Sequence, residues 1–160
     1  MTIQSPPPPE VQSPGFKGWL FKFYKLITSE TFSTPALGAA TGTSVLVTGS
    51  LGFAAGAGGA VTQATSKSTT VVLNKACGTI TLHNATLNAA TTVSFTLTNS
   101  AIAATDVLIL NHASAGTAGS YLLNAQAGAG SASINVRNIT SGNLGEAIVI
   151  RFAVIKGVIT

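Results

Sequence analysis

From Ala60 onward the chain is a series of short runs rich in Val, Ile, Leu and Thr, broken by Gly, Asn, Ser and Ala roughly every ten to fourteen residues. The clearest run, Thr91–Thr98, places Val93, Phe95 and Leu97 on one face and Thr or Ser on the other. Strict alternation of this kind, with β-branched residues on both faces, is the pattern of a half-buried strand. The same reading gives strands at 60–64, 69–74, 79–83, 91–98, 106–111, 120–126, 132–139 and 146–156, with no helix-period segment between them. An all-β domain over 60–160 is therefore expected, a β-sandwich or jelly-roll-like fold. In the last run Ile148, Ile150, Phe152 and Val154 alternate with Val149, Arg151, Ala153 and Ile155. Two largely apolar faces predict a central strand, or one buried against another subunit.

The first 35 residues are of another kind, since they hold all six prolines: Pro6, Pro7, Pro8, Pro9, Pro14 and Pro35. Four consecutive prolines favour an extended polyproline II arm over residues 1–13, either a loose tail or a preformed strap on a partner. Residues 14–27 read as a short amphipathic helix, with Ser13 as N-cap and Pro14 at the first helical position. Phe16, Trp19, Leu20, Phe23, Leu26 and Ile27 share one stripe; Lys17, Lys22 and Lys25 lie elsewhere, and only Phe21 breaks the pattern. So short a helix needs something to pack on. Its own β domain, a protein partner and a membrane surface are the three options, and three lysines are few for the last. Residues 1–32 thus form a candidate anchor, and residues 33–59 a Gly/Ala/Thr-rich connector with one short strand expected at Ser44–Thr48.

Charge is scarce. Eight Lys or Arg and four Asp or Glu make 8% of the chain, against roughly 25% in a typical soluble domain. With 46% hydrophobic residues, disorder driven by charge is excluded. The single Cys77 excludes a disulfide framework and a cysteine-based zinc site. The net charge of +4 comes from dispersed groups, Lys67, Lys75, Arg137, Arg151 and Lys156 in the β domain. Nucleic-acid binders cluster such residues, so no nucleic-acid partner is expected. No basic segment followed by an apolar run opens the chain, and no window has the ~18 apolar residues of a membrane span. A protein made in a cytoplasm is the expectation.

Catalytic candidates are few. A two-carboxylate glycosidase would have to use Asp106 and Glu146, each at the start of an expected strand, where solvated acids are the ordinary reading. Cys77 with His83 or His112 is a formal nucleophile–base pair. However, Cys77 reads as a structural thiol, and the two histidines read as strand-end residues before polar turns. Two histidines without a further ligand do not make a metal site. The stretch Gly52–Gly59 lacks the Gly-Lys-Ser/Thr ending of a phosphate loop. Asn84-Ala85-Thr86 and Asn138-Ile139-Thr140 match a glycosylation acceptor by chance. No catalytic residue, cofactor or metal is expected, which leaves a structural or recognition module.

Three segments carry a resemblance: Ala60–Leu82, Val93–His112 and Glu146–Gly157. Over about Gly52–Gly157 the chain resembles a β domain that recurs in structural proteins of bacteriophage particles. The Pro-Pro-Pro-Pro and Trp-Leu-Phe-Lys-Phe-Tyr patterns of the N-terminus resemble the leading arms of short phage appendage proteins. The resemblance implies a non-enzymatic virion component, made in the host cytoplasm and homo-oligomeric, a trimer being favoured. Its implied partners are other virion proteins, such as a tail adaptor, portal-proximal or capsid proteins. On this reading Pro6, Pro7, Pro8, Pro9, Phe16, Trp19, Leu20, Phe23 and Ile27 anchor a short fibre or tail or neck appendage to the particle. A capsid decoration (cement) protein is the alternative. A host-surface carbohydrate-binding module is a second, with Tyr121 as the single Tyr or Trp of the β domain.

Overall fold

The structure, a computed structural model, describes residues 50–158. The Pro-rich arm, the 14–27 helix, the Ser44–Thr48 strand and all nine anchor residues lie outside the described residues. The described part of the connector is irregular, with a turn closed by Ala57 N–H on the Ala54 carbonyl at 3.2 Å.

Eight strands follow: β1 (Ala60–Thr62), β2 (Val71–Val72), β3 (Cys77–Thr81), β4 (Thr92–Thr98), β5 (Val107–Ser114), β6 (Tyr121–Gly128), β7 (Ser131–Asn138) and β8 (Val149–Ile155). Every expected run within the described residues overlaps one, though β3, β5, β6 and β7 extend beyond theirs. They form two four-stranded sheets, a first of order β1-β3-β8-β5 and a second of order β2-β4-β7-β6. Side chains of both sheets share one buried cluster that includes Ile80, Ile150 and Phe152 from the first and Phe95, Leu97, Ile134 and Val136 from the second. The architecture is an all-β sandwich. On the inner faces, a fully buried Ile or Phe contributes about 1.5–3 kcal/mol relative to an exposed one.

The topology follows from ribbons. The pairs β1–β2, β3–β4, β5–β6 and β7–β8 each give one strand to each sheet, so both sheets repeat the same ribbon order. The β7–β8 ribbon lies inside, with β3–β4 on one side and β5–β6 on the other. β8 is thus central, as its two apolar faces predict. Among the described residues, the β6–β7 connection is the one hairpin within a sheet, its two-residue loop Ala129-Gly130 using Gly130 at φ +72°. β1 runs parallel to β3, and β2 parallel to β4, a departure from an all-antiparallel jelly roll.

Boundaries differ from the expected ones where side chains turn inward. β1 ends at Thr62, and the buried side chain of Gln63 holds the loop that follows, donating to the carbonyls of Lys67 (3.0 Å) and Thr69 (2.9 Å). β8 opens at Val149, so Glu146 stands outside the strand it was expected to begin. β5 runs on to Ser114, which places His112 inside a strand and not at its end.

Candidate interaction surface

Each titratable group of the sandwich that chemistry would require is placed against that use. Asp106 precedes β5 and Glu146 contacts Thr117 beyond its far end, so the two acids are separated by a strand about 25 Å long. A glycosidase pair needs about 5–9.5 Å. Cys77 pairs with Ala153, on the outward face of the first sheet, whereas His112 pairs with inward-facing Ile150. Nucleophile and base would lie on opposite faces. His83 follows β3 at the end remote from Cys77, and its Nδ1 accepts the Ala85 N–H at 3.0 Å. Among the described residues no group of three His, Cys, Asp or Glu is disposed to hold a metal ion.

The acids act as latches. Glu146 accepts from Thr117 Oγ1 (2.6 Å) and Tyr121 Oη (2.6 Å), and these bonds hold its carboxyl down to about 2. Burial, and then the bond to Glu146, raises Tyr121. The Tyr121 ring is buried, edge-on to His112 with centroids 5.5 Å apart, so it offers no platform for a sugar. Lys67, also buried, donates from Nζ to the carbonyls of His83 and Glu146, and burial lowers its pKa. At the other end Asp106 accepts from Ala103 N–H (2.8 Å) and Lys156 Nζ (2.7 Å), which lower its pKa in that order.

The depressed Glu146 has a consequence in acid. Its contribution is fully present above the ordinary value of 4.5 and is lost as pH falls from there toward about 2, because the unfolded chain takes up the proton first. The urea midpoint is expected to fall through that window. In Glu146→Gln the midpoint is expected to be lower at neutral pH and its acid slope shallower, and an unchanged slope would remove Glu146 from the account.

The two outer faces differ in kind. On the second sheet Ser94 Oγ donates to Asn135 Oδ1, and Asn135 Nδ2 donates to Asn124 Oδ1 at 2.6 Å, a polar row across β4, β7 and β6. On the first sheet the outward positions are apolar at one end and polar at the other, where Asn111, Arg151 and Thr79 lie in a row. Val107 pairs with Ile155, and Ile109 with Ala153, which in turn pairs with Cys77. Val107, Ile109 and Ile155 are 58%, 52% and 50% exposed. Arg151 is the one charged side chain among the outward positions of β5, β8 and β3. Val107, Ile109, Ile155, Ala153 and Cys77 thus form an apolar patch at one end of this face.

None of the nine sequence-derived anchor residues is among the described residues. Sequence reasoning did not single out the exposed apolar positions of β5, Val107 and Ile109. The signal was there in Val107-Leu108-Ile109-Leu110, four apolar residues without alternation at an expected strand. No protein-family model, curated protein or solved structure matches the chain.

Proposed function

We propose that the chain is a non-enzymatic structural protein of a bacteriophage particle, a short homo-oligomeric fibre or tail or neck appendage held by residues 1–32. The observation that carries the reading is the exposed apolar patch on the outer face of the first sheet in a domain with very few charges. Val107, Ile109 and Ile155 are exposed, while Glu146, Asp106, Lys67 and Tyr121 are engaged in holding loops together. A surface poor in charge and rich in exposed apolar side chains is suited to burial against neighbouring subunits. The amphipathic stripe of Phe16, Trp19, Leu20, Phe23 and Ile27, with the strap Pro6–Pro9, supplies the aromatic anchors of a particle contact.

The test is assembly onto the particle of the phage that encodes the chain, with residues 1–32 deleted. Losing one aromatic hot spot costs about 2 kcal/mol or more, and losing several predicts a roughly tenfold or larger fall in occupancy. Retention on heads at full occupancy would overturn the anchor and favour the cement alternative.

A further inference from the structure

The two flanks of the sandwich are built differently. One ends in β1 and β2, edge strands of three and two residues. Short edges are a standard defence against pairing with another chain. The other flank ends in β5 and β6, each of eight residues, with sequences VLILNHAS and YLLNAQAG. Neither contains a proline or a Lys, Arg, Asp or Glu, the residues that blunt an exposed edge. One defence is present, the irregularity between His112 and Ser114, and it leaves Val107–Asn111 regular. Among the described residues, no backbone bond outside the ladder with β8 reaches Val107–Ser114. Among the described residues, the edge is long, regular over Val107–Asn111 and uncovered.

We propose that a second copy of this chain pairs antiparallel with β5, joining the two first sheets into one eight-stranded sheet. The proposal rests on the homo-oligomeric reading above and names the partner strand. Self-pairing is favoured because the edge has no charge to oppose its own copy, and like charges facing across strands are what destabilise such pairs. With Ile109 on the two-fold axis, Ile109 faces its equivalent, Val107 faces Asn111 and Leu108 faces Leu110. Outward residues then meet outward ones and inward residues inward ones, as a sheet requires. This register brings the outward Ile109 of the two copies together and covers the half-buried Leu108 and Leu110 at the flank. The edges are about 26 Å long and the sheets stand about 10 Å apart, so the flank projects roughly 260 Å², about a third of one side of a standard interface, which predicts a modest dimer. A two-fold contact of this type closes on itself.

Sedimentation of the full-length chain tests the pairing. Wild type is expected at twice the monomer mass. Ile109→Lys, a charge on the open edge, is expected at the monomer mass with unchanged circular dichroism, while Val72→Lys on the opposite flank keeps the double mass. A second variant, Ile109→Cys with Cys77→Ser, is expected to form a disulfide-linked dimer under a mild added oxidant. A dimer that fails to cross-link, or one that survives Ile109→Lys, overturns the β5 pairing. A trimer indifferent to Ile109→Lys also overturns it while sparing the homo-oligomeric reading. A monomeric wild type removes both, and the particle-binding test judges the anchor independently.

Discussion

Replacing Asn138 by Ala is expected to lower the stability of the β domain by about 3–5 kcal/mol, a large share of the roughly 5–15 kcal/mol of a typical domain. Asn138 closes β7 and is completely buried. Its Nδ2 donates to the carbonyls of Leu87 (3.2 Å), Asn88 (3.1 Å) and Gly142 (2.7 Å). Its Oδ1 accepts from the N–H (2.9 Å) and the hydroxyl (2.8 Å) of Thr140. One amide therefore binds the loop before β4 to the loop after β7. Truncation leaves several buried polar groups without a partner, each worth about 1–3 kcal/mol. Isosteric Asn138→Leu is expected to do no better, because it also fills the site with an apolar group among carbonyls. Urea unfolding measures the loss, with Asn143→Ala as the comparison. The exposed Asn143 side chain accepts one bond, from Ala89 N–H at 2.9 Å, and its removal is expected to change stability by about 0.5 kcal/mol or less. Equal midpoints for the two variants would show that the plug does not hold these loops.

Gly78→Ala is expected to reduce stability by about 2–3 kcal/mol, or to lower the melting temperature by roughly 10 °C. The sign is informative, because Gly→Ala in an unstrained position ordinarily stabilises by about 0.4–1 kcal/mol through the unfolded chain. Gly78 lies in β3 opposite Phe152 and faces inward. A Cβ there would stand 2.6 Å from the carbonyl oxygen of Gly59, 2.8 Å from Leu73 Cδ2 and 3.1 Å from Phe152 Cε1. The Leu73 and Phe152 side chains can shift, but the Gly59 carbonyl accepts the Thr79 N–H at 2.9 Å and is held in the parallel β1–β3 pairing. Relief of the clash would prise the edge strand from the sheet. Gly142→Ala is the control, since a Cβ at Gly142 meets nothing within 4 Å. Thermal unfolding that leaves both variants at or above wild type would refute the close approach.

The eight strands were legible because alternation records burial directly. Val93, Phe95 and Leu97 read as one face, and Phe95 and Leu97 are buried while Thr92, Ser94, Thr96 and Thr98 are exposed. β8 read as central for the same reason. The roles of polar residues were not legible. Asn138 reads as one residue of an expected strand in a chance glycosylation match, Asp106 and Glu146 as solvated acids and Tyr121 as an available ring. Each instead has partners far away in sequence, such as Glu146 for Tyr121 and Lys156 for Asp106. Alternation carries no information about such pairings. Gly78 was equally silent, since what forbids a side chain there comes from β1 and β8.

The sequence by itself determined the all-β class, the number and places of the strands, the shortage of charge and the break in composition between the proline-rich arm and the sandwich. These are properties of local periodicity and composition, and any fold of this chain must satisfy them. The tertiary structure alone decided the ribbon order, the two parallel pairs, the separation of the acids along β5 and the contrast between a short-edged flank and an open one. Such features depend on which strands meet. That is set by packing among segments far apart in the chain, where local pattern has no reach.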